Sequence, residues 1–570
     1  MSDESPLKVV LYWHMHQPEY RDLRTGMYHL PWTYLHAVKD YTDMVAHLEA
    51  NPDARAVVNF APVLLEQIDD YAKQVRDYLE SSQVIQDPIL AALAEPVLVS
   101  DEEQRVSLVK ACMRANEERL IKRFPAYEML VEFAKWTIKH PASQTYISDQ
   151  FLIDLLVWFH LAWMGETVRR TDRRIKHLVE KAHNYNLQDR HDLVTVIGEV
   201  LSGLIGRYRK LAETGRIELS MSPYAHPIMP LLQDIGSAAE AMPDVQLPAL
   251  ENYPQGEDRV RWHIEQGRAC FERYFGFTPD GCWPSEGSIS DATLGLLAEA
   301  GIRWTASGEN VLRNSLKRHN VPGLTEEDGW LHSGYQYSDN GLACFFRDDG
   351  LSDLIGFTYA NWHADDAVAN LINHLENIAS VCKDEQGTIV PIILDGENAW
   401  EYYPENGYYF LSALYKSLAE HPGMELTTFS RCLDGNIPLK PLPRVVAGSW
   451  VYGTFSTWIG DHDKNRGWDM LGEAKHVYDK VMASHRLNNE QRDRATRQLA
   501  ICEGSDWFWW FGDYNPEESV SNFEHLFRQH LSNLYQFLGA EPPAYLSESF
   551  THGSGAPAMG GTMRHGRESE

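Results

Sequence analysis

The run Ala56 to Phe60 (AVVNF) stops at Ala61-Pro62 and passes at once into Leu64 to Tyr71, where apolar residues recur with helical spacing. A strand hands over to a helix there. An earlier run, Leu7 to Trp13 (LKVVLYW), also breaks off into a polar cluster, His14-Met15-His16-Gln17-Pro18. Two such units favour a parallel sheet and place the chain in the α/β class. From about Tyr71 to Leu211 the pattern changes to apolar residues at i, i+3 and i+4, as in Val106 to Phe124 and Phe151 to Met164. This predicts a helical insert, about 72–211. Strand-like runs return at Arg216 to Ser220, Gly281 to Trp283, Ile302 to Ala306, Leu354 to Tyr359 and Thr388 to Leu394. Helical patterns such as Asp291 to Ala300 and Ala367 to Ile378 separate several of them, so the parallel sheet is expected to resume.

Pro438, Pro441 and Pro443 fall between Asn436 and Arg444, which suggests a domain boundary. The organisation expected is a catalytic unit over 1–435, a helical domain over 444–548 and a disordered tail over 549–570. Helical segments are expected near Glu473 to Ser484, Asn489 to Cys502 and Asn522 to Leu538. No internal repeat of solenoid length is present.

Hydrophobic residues make up 44% of the 570 and charged residues 23%, which excludes a disordered or low-complexity protein. The 51 Lys and Arg stand against 81 Asp and Glu, a formal net charge of −30. A field of that sign repels nucleic acid and anionic lipid. The start, Met-Ser-Asp-Glu-Ser-Pro, lacks the basic and apolar regions of a secretory signal. Phe151 to Trp163, the most apolar stretch, carries Asp154 and His160 and falls short of the roughly 20 residues that span a bilayer. The seven cysteines are odd in number and scattered, with no zinc-like spacing. Together these predict a cytoplasmic protein with reduced, mostly buried thiols.

In a parallel α/β barrel the reactive groups sit at the C-terminal ends of strands, so polar residues directly after apolar runs are the candidates. The first group is His14, His16 and Gln17; alternation puts Tyr12, His14 and His16 on one face if the strand continues that far. Such a pair can bind a metal or hydrogen-bond a polar substrate, while either histidine alone is commonly satisfied by a backbone carbonyl. The second is Arg216, Glu218 and Ser220 with His226 beyond, which also reads as an ordinary ion pair at a strand start. In the third, Trp283-Pro284-Ser285-Glu286, part of the segment is helix capping by Ser290 or Asp291, but Glu286 lies too early to cap. The fourth, Asp395-Gly396-Glu397-Asn398-Ala399-Trp400-Glu401, holds three acids at a buried strand end, more than a turn requires. The fifth is aromatic: Trp450, Tyr452, Trp458 with Asp461 and His462, Trp468 and Trp507 to Trp510. Aromatic faces suit sugar rings, although most of the seventeen tryptophans are expected to serve as core. Among recognised nucleophile and phosphate signatures, neither a Gly-x-Ser-x-Gly elbow nor a phosphate-cradling glycine loop occurs. Paired carboxylates are what remain.

Taken in order, HMHQP at 14–18, GRIELSMSPYAHPI at 215–228, WPSEGSIS at 283–290, LDGENAWEYY at 394–403 and TWIGDHDKNRGW at 457–468 resemble the five ordered motifs of glycoside hydrolase family 57. FFRDDGLSDLIGF at 345–357 resembles a further segment of the α-amylase and amylopullulanase branch, and the third and fourth motifs look more like that branch than like branching enzymes. The resemblance implies an incomplete (β/α)7 barrel with a helical domain after it, and retaining hydrolysis or transfer of α-glucans; because the carboxylate pair supplies the chemistry, no metal or cofactor is expected. It implies Glu286 as nucleophile and Asp395 as general acid/base. His14, His16, Gln17, Glu218, His226, Trp283, Asp353, Glu397, Trp400, Trp458, Asp461 and His462 are then expected to bind substrate.

Retention requires carboxyl groups about 5 to 5.5 Å apart, and the acid must hold its proton. Burial and the negative charges of Glu286 and Glu397 are expected to raise the Asp395 pKa. The partner expected is an α-glucan such as starch, glycogen, maltodextrin or pullulan; a homo-oligomer stays open. A 4-α-glucanotransferase or branching enzyme shares the intermediate. A metal-dependent carbohydrate deacetylase using His14 and His16, or a non-catalytic glucan-binding protein, would be functions of another class.

Overall fold

The computed structural model describes residues 6–318, 330–338, 341–383 and 385–555. Ten strands form one sheet: β1 (Leu7–Met15), β2 (Ala56–Phe60), β3 (Ile217–Met221), β4 (Gly281–Cys282), β5 (Trp304–Gly308), β6 (Gly334–Tyr337), β7 (Leu342–Arg347), β8 (Ile389–Asp395), β9 (Met424–Leu426) and β10 (Leu439–Leu442). The order is β10-β6-β7-β5-β4-β3-β2-β1-β8, with β9 also on β1. Every pairing along β8, β1, β2, β3, β4, β5 and β7 is parallel, and β6 runs antiparallel to β7.

Among the described residues no ladder joins β7 to β8, so the barrel is incomplete. Isolated hydrogen bonds bridge the seam: Asp348 N to Pro391 O at 2.9 Å, Arg347 Nε to Ile393 O at 2.9 Å and Ile393 N to Ser352 Oγ at 3.2 Å. Side chains on the inner face, including Tyr12, Val57, Trp283, Trp304, Phe345 and Ile393, fill the barrel as a packed core. Chemistry is therefore confined to the mouth.

One strand expectation changes here. Leu354 to Tyr359 is a wide helical turn, Leu354–Thr358, continued by a short 3₁₀ turn. The Asp348 carboxylate caps the preceding helix, Asp349–Asp353, by accepting from Leu351 N at 2.8 Å, and the chain stays helical while Ile355 and Tyr359 turn into the core. The strand in that part of the chain is instead Leu342–Arg347 (LACFFR), buried throughout. Within the proline stretch expected as a boundary a strand forms. Leu439–Leu442 pairs with β6 at the sheet edge, where the N–H that Pro441 lacks is not needed.

The helical insert lies between β2 and β3. Its last helix, Leu187–Glu213, opens with a capping box between Asn186 and Asp189 and packs along Pro62–Ser81. Contact is so close at Gly198 that a Cβ would lie 2.7 Å from Val75 Cγ1. After β10 the chain crosses the barrel mouth and enters the helices His462–Ala483, Asn489–Cys502, Ser505–Trp510 and Glu517–Phe537. Residues at the start of the expected tail are packed: Phe550 lies 5.2 Å from Phe511, and Gly555 N donates to Asn515 O at 3.0 Å. Residues 556–570 of that expectation lie outside the described residues. All seven cysteines are unpaired and buried, and no described helix is long and apolar enough to cross a membrane.

Candidate active site

Strand register assembles the first side of the site. His14, near the end of β1, stands beside Asn59 of β2 and Asp395 of β8, and Asn59 stands beside Ser220 of β3. His14 Nδ1 donates to Asn59 Oδ1 at 2.6 Å, an oxygen that also accepts from Ser222 Oγ at 2.9 Å. Burial, with His16 nearby, drives the His14 pKa down to about 3, so the ring is neutral. His226 is also neutral, its pKa held far below normal by burial and by His16 and His14. The His16 and His226 rings stack at 3.8 Å, and His14 lies 5.1 Å from His226. His226 has a left-handed backbone (φ 57°), a conformation that costs about 1–3 kcal/mol in a non-glycine residue and is typical of functional sites.

Glu286 sits in a second such turn (φ 57°, ψ 26°) between Ser285 and Gly287. β4 is only two residues long, and the turn after it is held from outside the barrel. Trp450 N donates to Glu286 O at 3.0 Å, and Trp450 Nε1 donates to Glu286 Oε2 at 3.0 Å. His226 Nδ1 lies 3.8 Å from Glu286 Oε1. Gly308 allows this crossing, since a Cβ there would stand 2.6 Å from Trp450 Cα. The Glu286 carboxylate thus stays partly open to the mouth while backbone and side chain are both fixed.

Asp395 closes β8. Its Oδ2 accepts from Asn398 Nδ2 at 2.9 Å, and the next residue, Gly396, donates its N–H to His14 O at 2.7 Å. A Cβ at Gly396 would lie 2.0 Å from Met15 Sδ, so the tight turn needs glycine. Burial raises the Asp395 pKa, opposed by Asn398, His16 and Arg347. The expected contribution from neighbouring acids falls instead on Glu397, which burial and the charges of Asp395 and Asp40 push well above normal. Glu397 Oε1 accepts from Gln17 Nε2 at 3.1 Å. Gln17 is in turn held by Tyr20 OH at 2.8 Å. Two carboxyl environments therefore meet the same mouth: Glu286 on an indole N–H, and Asp395 buried with an elevated pKa.

The model of the family described as "Glycosyl hydrolase family 57" matches residues 10–442. The chain belongs to this family. Among solved structures, a branching enzyme of family 57 from Thermococcus kodakaraensis superposes with a TM-score of 0.57 at 15% identity, covering 93% of this chain and 90% of that one. An α-amylase from Thermotoga maritima gives 0.55 at 13% identity, covering 94% of each chain. A 4-α-glucanotransferase from Thermococcus litoralis gives 0.51 at 14% identity, covering 94% of this chain and 60% of that one. At these identities the likeness is one of fold. Comparison with curated protein sequences gives no match.

In this family 57 chain, His14, His16, Gln17, His226, Trp283, Glu286, Asp395 and Glu397 are gathered at or just beneath the mouth. Other expected residues are not. Glu218 is two residues below Ser220 on the same strand face, beside Val57, where its carboxylate accepts from Trp304 Nε1 at 2.6 Å and Ser430 N at 3.0 Å. It belongs to the barrel filling. Trp400 is buried against Trp13 at 5.7 Å, its Nε1 donating to Gly396 O at 3.0 Å, so it braces the Asp395 loop from behind. Trp458 is fully buried, 5.8 Å from Trp509. Asp461 caps the helix that starts at His462 and lines an open depression of about 450 Å³ with Met242 and Ile459. His462 points to solvent, its side chain 93% exposed. Asp353 binds Arg347 at 2.6 Å.

The C-terminal helices supply groups that sequence reasoning missed. Ser505 Oγ meets His226 Nδ1 at 2.9 Å, and Asp506 Oδ1 accepts from His16 Nε2 at 2.8 Å. Nothing in the surrounding pattern sets these residues apart from ordinary helix-start polars. His16, His226 and Asp506 offer ligand atoms within 4.8 Å of one another and are the group that could hold a metal ion among the described residues. The preceding Glu503 locks this helix onto the barrel: Arg259 Nη2 lies 2.8 Å, Tyr253 OH 2.7 Å and His263 Nε2 2.7 Å from its carboxylate. Burial would raise the Glu503 pKa, but Arg259 and the hydrogen bonds hold it down at about 2. A depressed carboxylate pKa contributes stability above the unfolded value near 4.5 that is lost as pH falls towards about 2. Calorimetry should therefore show Glu503→Gln melting well below wild type at neutral pH, with the gap closing between about pH 4.5 and 2.

Proposed function

We propose that the protein is a retaining enzyme of α-glucans, with Glu286 as nucleophile and Asp395 as general acid/base. Its substrates are α-1,4-linked chains, with α-1,6 branch points as a second linkage. The observation that carries this reading is the contrast between the two carboxyls. Glu286 is fixed by Trp450 and partly open to the mouth, whereas Asp395 is buried and its pKa is raised by that burial, as suits a proton donor. In the first step Glu286 attacks the anomeric carbon while Asp395 donates its proton to the leaving oxygen. In the second, Asp395 takes a proton from the incoming water or sugar hydroxyl, which displaces Glu286. Neutral His14 and His226 serve as hydrogen-bonders to sugar hydroxyls without adding positive charge.

Proton NMR and chromatography of products from maltooligosaccharides, soluble starch and pullulan test the reading. The α-anomer should appear first, with shorter oligosaccharides from hydrolysis or redistributed lengths from transfer. A β-anomer as first product, or no cleavage, would sink it.

The carboxyl pair supplies nucleophile and proton, so the reaction needs no Lewis acid. Activity after exhaustive treatment with a chelator should equal that of untreated enzyme. Loss that zinc restores would assign His16, His226 and Asp506 to a metal and favour the deacetylase reading.

A further inference from the structure

We infer that Arg347 is a positioning residue that ties the acid/base side of the site to the nucleophile side across the open seam of the barrel. The inference rests on the roles proposed above for Glu286 and Asp395. Arg347 ends β7 on the same inward face as Ala343 and Phe345. Its Nε donates to Ile393 O at 2.9 Å, two residues before Asp395 on the strand that β7 does not pair with. Its guanidinium carbon lies 5.6 Å from the ring centre of Trp450, the residue that binds Glu286 through both backbone and indole. One planar cation thus touches the backbone behind one carboxyl and the ring behind the other.

The cation is itself clamped. Nη1 meets Asp349 Oδ1 at 2.7 Å and Nη2 meets Asp353 Oδ1 at 2.6 Å. Asp348 feels its charge as well, and Glu309 borders Asp349 through its backbone N–H at 3.2 Å. A buried guanidinium with two carboxylates is held in one orientation, which a flexible aliphatic side chain would not be. In a fully paired barrel, ladder hydrogen bonds would set the spacing of the seventh strand against its neighbour. Here three isolated hydrogen bonds span the seam, and Arg347 supplies the one whose donor group also lies over the ring that binds Glu286.

Asp395 is faced by His14 of β1 and His16 just after it, by Glu397 and Asn398 from its own loop, and by Arg347 from β7. Of these, Asn398, His16 and Arg347 oppose the rise in its pKa. Removing the guanidinium charge makes the Asp395 anion less favourable. The acid then keeps its proton to higher pH, and the alkaline limb of kcat/KM moves up.

R347Q and R347K test the inference. R347Q should lose about 10- to 100-fold in kcat with little change in KM, and its alkaline limb should move to higher pH. R347K keeps the charge but has no fork with which to hold Ile393 O and stay over Trp450 together; it should lose kcat with the limb unmoved. Difference infrared titration of the protonated carboxyl band, assigned with Asp395→Asn, follows the same shift without substrate and keeps the test independent of the assigned activity. A wild-type limb, carboxyl titration and kcat in folded R347Q would overturn the inference, as would wild-type kcat in R347K should R347Q fail to fold. If wild type is active and Glu286→Gln inactive while R347Q behaves as wild type, the positioning role falls and the assigned chemistry stands.

Discussion

Glu286→Ala should lose on the order of 10⁴- to 10⁶-fold in turnover of starch, and azide should restore cleavage of an α-glycosyl fluoride with formation of the β-glycosyl azide. The variant lacks the atom that attacks, and the vacated space lies on the side of the anomeric carbon opposite the leaving group. A small anion entering there inverts configuration in a single step. Truncation also removes the acceptor of the part-buried Trp450 Nε1, which can lower stability. Glu286→Gln keeps an oxygen acceptor for that indole and serves as the folding control. It should melt close to wild type and be equally inactive. Substantial starch turnover by either variant, or an α-azide product, would show that another residue attacks.

Asp395→Ala should lose about 10²- to 10⁴-fold on starch, the usual contribution of a positioned proton donor, and far less on substrates whose leaving group needs no proton. With such a substrate Glu286 still forms the glycosyl-enzyme. Azide then attacks that intermediate and gives the α-glycosyl azide, the configuration opposite to that from Glu286→Ala. The pH profile supplies a second reading. An acid that must be protonated fails as pH rises through its pKa, and burial has moved that pKa upward for Asp395. The alkaline limb of wild type should therefore belong to Asp395 and vanish in the variant when the leaving group is activated. A limb that survives unchanged would assign the proton to a neighbour, with Glu397 the first candidate because its own pKa is raised still further.

What the sequence by itself determined was the kind of fold and the strand ends at which chemistry would be found. Apolar runs such as LKVVLYW and IVPIILD are long enough to mark buried strands, and each ends in polar residues that a turn does not need, so His14 and Asp395 were legible one element at a time. Periodicity failed where an apolar run was short and its surroundings ambiguous. Leu354 to Tyr359 has the composition of a strand, yet an Asp348 cap upstream keeps it helical.

Depth in the barrel was beyond the sequence as well. Glu218 and Ser220 share one strand face, but only the register with β2 puts Ser220 in the layer of His14 and Glu218 one layer lower, bound to Trp304. Tertiary structure alone decided that Trp450, Arg347, Ser505 and Asp506 reach the mouth. Each arrives through a chain crossing, an open seam or a domain contact, distant in sequence from the group it touches. The physical reason is one of range. Side-chain alternation and helical period act over a few residues, whereas the distance between two side chains on separate elements follows from strand stagger and from packing across the whole core.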